Sequence, residues 1–320
     1  MTELKRVCVI EGDDASPEAV RPTIELLGSL GLPIEFCYPV IGEAAISQGD
    51  KALPATARKL IDSCDTTFFG STNGASSAAL FYLRWGKQTF ANIRPCTWFE
   101  GARSALADPR DIDFLLVREN LEDLYVRAEG DLADLPEGQF VSATARRDLA
   151  GMEPGRYAMK VITEAGAERV IRFAFELALQ REQRLTVTAK YNMLPHSDGL
   201  FVEVAQAVAQ EYPEVTLETF IVDDFACRLI TQPQHFDVVV MPNLYGDILS
   251  DAAAGLVGGL GMAASGCYGN DYAYFESAHG TAPDIAGQHI INPTANLLSA
   301  AMMLSYLEFF EASQALITAV

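Results

Sequence analysis

The chain has 320 residues, of which 49% are hydrophobic and 21% are charged, and its mean hydropathy is +0.12. This composition can bury a large core and excludes a mainly disordered protein; the length suggests about two domains. The 23 Lys and Arg residues against 43 Asp and Glu residues give a formal net charge of −20. Because so acidic a chain repels phosphate backbones and anionic lipids, we expect neither nucleic acid nor a membrane as a partner.

The cysteine pattern and the N-terminus indicate the compartment. Six cysteines are scattered without a CxxC pair or a His partner at zinc-finger spacing. The N-terminal sequence MTELKRVCVIEG leads directly into a strand-like run and lacks the apolar region of a signal peptide. No apolar run reaches the roughly 18 to 20 residues that a membrane span needs. We therefore predict a cytoplasmic protein with reduced thiols.

Short β-branched or aromatic runs alternate with helical periodicity, which is typical of βαβ units and a parallel sheet. In chain order, the predicted strands are 6–10, 34–40, 66–70, 112–117, 185–189, 216–222 and 236–241. The predicted helices are 17–30, 54–64, 157–181, 199–212, one that ends at 230, and an apolar helical run from 293 onward. A polar segment rich in Gly, Ala and Asp, at about 127–156, interrupts this pattern and is predicted to be an arm.

No GxGxxG motif follows a predicted strand, so a standard Rossmann fingerprint is absent. The nearest glycine cluster is Gly258-Gly259-Leu260-Gly261. It lies in an Ala- and Gly-rich stretch that we predict to be helical, and close helix packing is the favoured interpretation. Any nucleotide therefore has to bind through another loop.

Three arginines, Arg84, Arg94 and Arg118, occur just before, between and at the end of strand-like segments. Ligands of α/β proteins bind at strand ends, and a guanidinium group matches a carboxylate with two hydrogen bonds. A single arginine is more often part of a surface ion pair. In a chain of net charge −20, however, three arginines in so short a span indicate an anion site.

Three aspartates form a second candidate cluster. Asp223 ends a predicted strand in FIVDD, whereas Asp247 and Asp251 in NLYGDILSD are four residues apart and share one helix face. Carboxylate oxygens from a helix face and a neighbouring strand end suit Mg²⁺ or Mn²⁺. The alternative is that Asp247 caps the helix and Asp251 is only solvated.

A lysine and a tyrosine could move protons. Lys190 follows the apolar strand LTVTA, where desolvation could lower its pKa enough for base chemistry. Tyr125 lies seven residues after Arg118. Neither residue is specific alone, since a lysine at a strand end is usually a charged terminus.

Several long motifs, taken together, resemble the isocitrate and isopropylmalate dehydrogenase family, the β-decarboxylating 2-hydroxy-acid dehydrogenases. The resemblance extends from the first strand to about Leu304. Its strongest parts are FANIRP, LLVRENLEDLY, MKVITEAGAERVIRFAF, AKYNMLPHSDGLF, FDVVVMPNLYGDILSD and AHGTAPDIAGQHIINPTANLLSAAMML.

The resemblance implies an isopropylmalate-dehydrogenase-like fold of two α/β domains with a mostly parallel sheet. A large, cofactor-side domain would comprise 1–98 and 252–320. A small dimerisation domain would comprise 99–251, with the arm at about 127–156. The expected assembly is a homodimer with shared active sites.

The resemblance also implies a role for each candidate residue. Arg84, Arg94 and Arg118 would bind the substrate carboxylates, and Tyr125 and Lys190 would be the acid and the base. Divalent metal would be bound by Asp223, Asp247 and Asp251, with Lys190 and Asp223 reaching across from the other subunit. The cofactor would lie on His279, Gly280, Ala282, Pro283, Asp284 and Ile285, with Asn292 near the adenine. A carboxylate at Asp284 can accept hydrogen bonds from a ribose 2′-hydroxyl but repels a 2′-phosphate, which favours NAD over NADP.

The implied reaction is NAD-dependent oxidation of a hydroxy di- or tricarboxylate followed by loss of CO₂, with Mg²⁺ or Mn²⁺. Isocitrate enzymes place Ser and Asn before the first arginine, where this chain has Ala78 and Leu80. Isopropylmalate enzymes present apolar residues there, which Leu80 and Phe81 match, although Ser77 stands where they have Glu. A third carboxylate facing Leu80 and Phe81 would lack partners, so we favour a 3-substituted malate with an apolar C3 group, as in 3-isopropylmalate.

Several alternatives remain open. The substrate could be isocitrate, homoisocitrate, D-malate or tartrate, and Leu80 and Phe81 could point into the core. A non-catalytic, regulatory metabolite-binding paralogue is the alternative of another class, although such a protein would be expected to lose the lysine, the tyrosine or an aspartate.

The chain departs from the family's pattern at both ends. The family's GDGIGPE is here GDDASPE, so that Asp14 and Ser16 replace glycines and the turn is expected to take another shape. A closing strand and helix of the large domain are expected to be missing after Val320.

Overall fold

The computed structural model describes residues 3–320. Its strands are β1 (Lys5–Ile10), β2 (Ile34–Cys37), β3 (Thr66–Phe69), β4 (Ala91–Thr97), β5 (Asp113–Glu119), β6 (Glu129–Asp131), β7 (Arg156–Ala158), β8 (Arg184–Ala189), β9 (Thr216–Ile221), β10 (Val238–Met241), β11 (Ala264–Tyr268) and β12 (Ala273–Ser277). Its α-helices are α1 (Ser16–Ser29), α2 (Gly42–Ser47), α3 (Ala55–Asp62), α4 (Ser77–Phe81), α5 (Glu164–Leu179), α6 (Ser197–Val208), α7 (Val222–Thr231), α8 (Asn243–Leu256), α9 (Thr294–Tyr306) and α10 (Phe310–Ala319). A π-helical turn, Tyr82–Gly86, extends α4.

Ten of these strands form one sheet in the order β2-β1-β3-β12-β11-β4-β5-β10-β8-β9. Neighbouring strands are parallel except where β4 pairs with β5 and β11, and where β11 pairs with β12. The predicted α/β fold with a mostly parallel sheet is therefore confirmed.

Helices cover both faces of the sheet, which explains why its central strands are apolar throughout. In β10, Val238 and Val240 pack in the cluster with α5 and α6, whereas Val239 and Met241 pack in the cluster with α7 and α8. At the other end of the sheet, α1, α9 and α10 pack against one face, and α3 and α4 pack against the other.

Most predicted elements have an observed counterpart, with three differences. The predicted helix 157–181 begins only at Glu164, and its first residues belong to β7 and a connection. The short helices α2 and α4 and the strands β4, β6, β11 and β12 were not predicted. The glycine cluster is not within a helix but directly follows α8, where Gly258 and Gly259 have φ values of +130° and +93°.

The predicted domains remain a prediction. The strands of 1–98 and 252–320 lie side by side in the sheet, as do β5, β8, β9 and β10 of 99–251, but a single sheet runs through both groups. The segment predicted to be an arm contains β6, which pairs with β7 in a separate two-stranded ribbon. No helix within residues 3–320 is long and apolar enough to cross a membrane.

Candidate active site

The three predicted arginines are buried close to one another. Arg84 lies in the π-helical turn, Arg94 in β4 and Arg118 in β5. Arg118 pairs with Asn92 in the antiparallel ladder, and Arg94 lies two residues further along the same face of β4. Burying positive charges is costly unless counter-charges or a ligand accompany them.

Asp247 of α8 provides the main counter-charge. Its Oδ1 accepts a hydrogen bond from Nη1 of Arg118 and lies 3.5 Å from Nη2 of Arg94, and its Oδ2 accepts a hydrogen bond from the Tyr125 hydroxyl. Burial alone would raise the pKa of Asp247, but Arg118, the Tyr125 hydrogen bond and Arg94 together hold that pKa below its usual value. The guanidinium of Arg118 also lies 4.8 Å from the centre of the Tyr125 ring.

Asp251 lies one helical turn after Asp247 and faces the same cluster. Nη1 of Arg94 donates to its Oδ1 at 3.0 Å and to Oγ of Ser250 at 2.7 Å. Burial raises the pKa of Asp251, and the negative charge of Asp247 adds to this effect. The two carboxylates therefore form a pair that a divalent cation could bridge. Asp247 is the fifth residue of α8 and does not cap it, so the capping alternative is wrong.

Asp223 and Lys190 form a separate pair. Asp223 lies in the first turn of α7 rather than at a strand end, because β9 stops at Ile221. Its carboxylate accepts a hydrogen bond from the ammonium group of Lys190, whose side chain is 30% exposed. Within residues 3–320, no three His, Cys, Asp or Glu side chains are placed to hold a metal ion. One chain therefore does not bring the three predicted metal ligands together.

Glu276 is a buried acid that the sequence analysis missed. It lies in β12, and its carboxyl group is near all three arginines. Burial raises its pKa despite the opposing effect of the arginines. The sequence FESAHG shows Glu276 as an acidic residue in an apolar run. Because β12 was not predicted, nothing in the sequence indicated that Glu276 faces the arginines.

An apolar groove adjoins the arginine cluster. Phe81, Trp85, Leu121, Tyr125 and Val126, together with Arg127, line a cavity of about 470 Å³. The Phe81 side chain is 46% exposed and its ring centre is 5.5 Å from that of Trp85, so Phe81 does not point into the core. Leu80, by contrast, is half-buried and packs against the core cluster of α3 and α4. Tyr125 contributes to both the groove and the charged cluster.

The predicted cofactor loop lies against the turn between β1 and α1. Oγ of Ser71 donates to the carbonyl of His279 at 2.6 Å, and the amide of Ala15 donates to the carbonyl of Thr281 at 3.1 Å. The carboxylate of Glu18 accepts hydrogen bonds from the backbone amides of Gly287 and His289. The loop therefore has a fixed shape in which Gly280, Ala282 (φ +52°), Pro283, Asp284 and Ile285 form its outer turn.

Asn292, the residue expected near the adenine, lies at the end of this loop. Its Oδ1 accepts a hydrogen bond from the amide of Thr294 at the start of α9, at 3.0 Å. A Cβ atom on Gly261 would be 2.9 Å from its Nδ2. Gly261, the last glycine of the cluster after α8, has no Cβ atom and so allows Asn292 to pack closely against it.

The altered turn of GDDASPE keeps a backbone conformation that glycine favours. Asp14 has φ +53°, in the left-handed region, so the replacement of glycine at this residue does not move the chain out of that region. The carboxylate of Asp13 accepts hydrogen bonds from the amide of Asn73 at 2.7 Å and from Oγ of Ser76 at 2.7 Å. Oγ of Ser16 accepts one from the amide of Ser71 at 2.9 Å. Side-chain hydrogen bonds thus hold this turn to the loop after β3.

A family model described as "Isocitrate/isopropylmalate dehydrogenase" matches residues 6–320. The chain is 41% identical over 315 residues to the 3-isopropylmalate/3-methylmalate dehydrogenase of Methanocaldococcus jannaschii, covering 97% of this chain and 88% of that protein. It is 38% identical over 316 residues to the isocitrate/homoisocitrate dehydrogenase of Thermus thermophilus, covering 97% and 87% respectively.

Two solved structures have the same fold. The isocitrate dehydrogenase of Methylococcus capsulatus has a TM-score of 0.82 and 33% identity, and the alignment covers 97% of this chain and 88% of that one. The TT0538 protein of Thermus thermophilus has a TM-score of 0.82 and 34% identity; the alignment covers 96% of this chain but only 59% of that one. On its sequence and its fold, this chain belongs to the isocitrate/isopropylmalate dehydrogenase family.

Proposed function

We propose that this protein is an NAD-dependent, Mg²⁺- or Mn²⁺-dependent enzyme that oxidises and decarboxylates a 3-substituted malate with an apolar C3 group, as in 3-isopropylmalate. The observation that carries the proposal is the position of three buried arginines, Asp247 and Tyr125 directly beside the apolar groove that contains Phe81. We expect it to act in the cytoplasm, where its six free cysteines would remain reduced.

The arginines would bind the two carboxylates of malate. Within residues 3–320, the buried Nε of Arg84 has no hydrogen-bond partner. An unsatisfied buried donor costs about 1 to 3 kcal/mol, and a substrate carboxylate would remove that cost. Arg94 and Arg118 donate to Asp247 and Asp251, and the substrate would share these two guanidinium groups with the aspartates.

Asp247 and Asp251 fit a divalent cation as two of its oxygen ligands, because their negative charges lie close together on one helix face. Asp223 would be the third ligand, supplied by a second copy of the chain. A cation bound there supplies Lewis-acid stabilisation of negative charge on the substrate oxygens.

Tyr125 and Lys190 would move the protons. Burial raises the pKa of Tyr125, so its phenol stays protonated at neutral pH and can donate a proton to C3 after CO₂ leaves. Lys190 of the second copy would accept the proton of the 2-hydroxyl group, directly or through a water molecule. The nicotinamide, when bound, accepts the hydride from C2.

Exposed apolar side chains support a homodimer with shared sites. Met193 and Leu194 follow Lys190, Ile230 lies in α7 with Asp223, and Ile248 lies between the two aspartates of α8; all four are exposed. Apolar residues grouped around a charged site are typical of an interface. A second copy that covers them would bring Lys190 and Asp223 to Asp247 and Asp251.

NAD is the proposed cofactor because Asp284 lies on the exposed outer turn of the loop that follows β12. Its carboxylate would accept hydrogen bonds from a ribose 2′-hydroxyl and would repel the 2′-phosphate of NADP.

The second candidate substrate is isocitrate or homoisocitrate, since the Thermus thermophilus relative carries that name. A third carboxylate in the groove would need a donor: the hydroxyl of Ser77 in α4 already donates to the carbonyl of Gly74 at 2.6 Å, which leaves the exposed Arg127, whereas the other five residues that line the groove are apolar or aromatic. D-malate and tartrate leave the groove without an apolar group. The geometry therefore supports an apolar C3 group better.

The test is NADH or NADPH formation with Mg²⁺ or Mn²⁺ on 3-isopropylmalate, isocitrate, homoisocitrate, D-malate and tartrate. We expect the highest kcat/KM with 3-isopropylmalate and NAD. Higher kcat/KM with isocitrate would reverse the order of the two candidates. Binding of 3-isopropylmalate without turnover of any substrate would instead indicate a regulatory metabolite-binding paralogue.

A Phe81→Ala variant separates the groove from the charged site. We expect kcat/KM for 3-isopropylmalate to fall about 10- to 100-fold, because an apolar contact of a few carbons is lost. The kcat/KM for D-malate, which has no C3 group, serves as the internal control and should change little. An equal loss with both substrates would mean that Phe81 supports the site as a whole rather than the C3 group.

A further inference from the structure

Three cysteines meet at one edge of the sheet, and the proposed active site uses none of them. Cys8 in β1 lies directly opposite Cys37 in β2, in register, and Cys64 lies in the connection between α3 and β3. All three belong to the same buried cluster. The Cys64 thiol interacts with the thiols of both Cys8 and Cys37.

Arg6 places a positive charge on this thiol cluster. Its Nη2 donates to Sγ of Cys37 at 3.4 Å, and its Nη1 donates to the carbonyl and to Oγ of Ser63 at 3.0 and 2.9 Å. The neighbouring thiol of Cys8 lowers the pKa of Cys64 to about 7 against the opposing effect of burial, and Cys37 and Arg6 contribute to the lowering. A large fraction of Cys64 is therefore thiolate at neutral pH, which is the reactive form.

Small molecules can approach Cys64. It is one of the residues lining a cavity of about 770 Å³, together with Lys5, Lys87 and Arg169 and with the acidic Asp62 and Asp65. The exposed fraction is 6% for Cys64, 8% for Cys37 and 0% for Cys8. Since no set of three metal-ligating side chains exists among the described residues, a metal site does not explain the cluster.

We propose that Cys64 and Cys37 form a peroxide-sensitive dithiol. The Cys64 thiolate attacks one oxygen of a hydroperoxide, the O–O bond breaks, and the other oxygen leaves as an alcohol, or as water from hydrogen peroxide, after taking up a proton. This gives a sulfenic acid at Cys64. Sγ of Cys37 then attacks that sulfur, loses its proton, and releases water as the disulfide forms. The two thiols lose two electrons and the peroxide gains them.

Cys37 is the preferred resolving thiol for a mechanical reason. A disulfide has an S–S distance of about 2.05 Å, so a thiol on an element that can move is the favoured partner for Cys64. Strand β2 is at the edge of the sheet and has a neighbour on one side only, whereas β1 is held between β2 and β3. The neighbouring Cys64 thiol, together with burial, raises the pKa of Cys8, which disfavours its thiolate.

The test is to treat the wild-type protein with hydrogen peroxide, block free thiols under denaturing conditions, and map disulfides by mass spectrometry. We expect a mass loss of two hydrogens and a cross-link between the peptides that contain Cys37 and Cys64. A Cys37→Ser variant should accumulate a dimedone-reactive sulfenic acid at Cys64, and a Cys8→Ser variant should still form the cross-link. Oxidation confined to the exposed Cys227, or a Cys8–Cys64 cross-link, would overturn the proposal.

The role of Arg6 has its own readout and control. In Arg6→Gln, alkylation of Cys64 by iodoacetamide at pH 7 should slow several-fold, because less of the thiol is ionised. Arg21→Gln removes another arginine that pairs with a glutamate, at a site away from the cysteines, and should leave the rate unchanged. Equal rates in wild type and Arg6→Gln would overturn the role assigned to Arg6.

Discussion

At the scale of single residues, the charged cluster contains its own counter-ions. Arg84, Arg94 and Arg118 are buried together, and Asp247, Asp251 and Glu276 place negative charge against them. Unpaired buried charges would be strongly destabilising. The aspartates therefore hold the arginines in position, so that an acidic chain can keep the proposed anion site compact.

Glu119, next to Arg118, leads to a prediction about stability and pH. It is buried, its carboxylate accepts hydrogen bonds from the amides of Leu121 and Glu122 at 2.8 Å, and burial raises its pKa to about 7 from a usual 4.5. Between pH 4.5 and 7 the folded state binds more protons here than the unfolded state, so stability falls as pH rises through this window.

The Glu119→Gln variant tests this effect. We compare the free energy of unfolding in urea at pH 5 and at pH 8. The decrease between these two pH values should be about 2 to 3 kcal/mol smaller in the variant than in wild type, because the variant lacks the titrating group. The variant should also be less stable at pH 8, since its amide accepts only one of the two backbone hydrogen bonds. Parallel pH curves for the two proteins would show that Glu119 does not couple folding to proton binding.

Asp284 is the residue on which the cofactor proposal depends. Asp284→Lys removes the acceptor for a ribose 2′-hydroxyl and introduces a cation that can bind a 2′-phosphate. We expect KM for NAD to rise about 10-fold or more, which corresponds to the free energy of a charge-assisted hydrogen bond. The KM for NADP should fall. Glu214→Lys, in the exposed connection before β9, makes the same change of charge away from this loop and is the matched control. Unchanged NAD kinetics in Asp284→Lys would mean that the adenosine binds elsewhere.

The sequence could predict the arginines and aspartates but not their partners. Arg84, Arg94 and Arg118 stand out because they cluster in a short span of a chain of net charge −20, and Asp247 and Asp251 because a spacing of four marks one helix face. Glu276 lies in the sheet beside residues more than 150 positions earlier in the chain. The pairing of β11 with β4 places β12, and with it Glu276, near the arginines. No local sequence pattern encodes that pairing.

At the scale of the elements, the strength of the local pattern decided which ones could be predicted. The strand β10 (VVVM) is buried on both faces, and its β-branched residues mark it clearly. The strand β11 (ASGCY) contains no β-branched residue, and its conformation depends on antiparallel neighbours on both sides. Its prediction from sequence would have needed the tertiary pairing itself.

The start of α5 shows a local signal that was overlooked. Thr163 has an extended backbone, its Oγ1 accepts a hydrogen bond from the amide of Gly166 at 3.0 Å, and it also donates to Glu122. This N-cap explains why the helix begins at Glu164 rather than at Tyr157. It also connects α5 to the segment that leads to Tyr125.

Thr163→Ala should lower the free energy of unfolding by about 1 kcal/mol, the usual cost of losing an N-cap hydrogen bond. Thr163→Ser keeps the hydroxyl and should retain most of the stability. Urea unfolding of the two variants beside wild type provides the measurement. If the Ala and Ser variants were equally stable, the cap would contribute nothing and the start of α5 would be set by packing alone.

At the scale of the whole molecule, the charged groups are divided between two places. Arg118, Tyr125 and Asp247 are connected by hydrogen bonds around α8, whereas Lys190 and Asp223 pair with each other at β8 and α7. Within residues 3–320 the two groups do not combine into a metal site. The proposed symmetric dimer would resolve this division, since each copy would supply the half that the other lacks.

Complementation between inactive variants tests the shared site directly. Lys190→Ala and Asp247→Asn should each be inactive alone. When the two variants are unfolded together and refolded in equal amounts, about half of the dimers should be mixed. Each mixed dimer should have one site in which both Lys190 and Asp247 are intact. About one quarter of wild-type activity should therefore return. The matched control is the mixture of Lys190→Ala with Asp223→Asn. In each proposed site Lys190 and Asp223 come from the same copy, so every site of a mixed dimer lacks one of the two and no intact site can form. If each site is instead built within one chain, both mixtures will stay inactive.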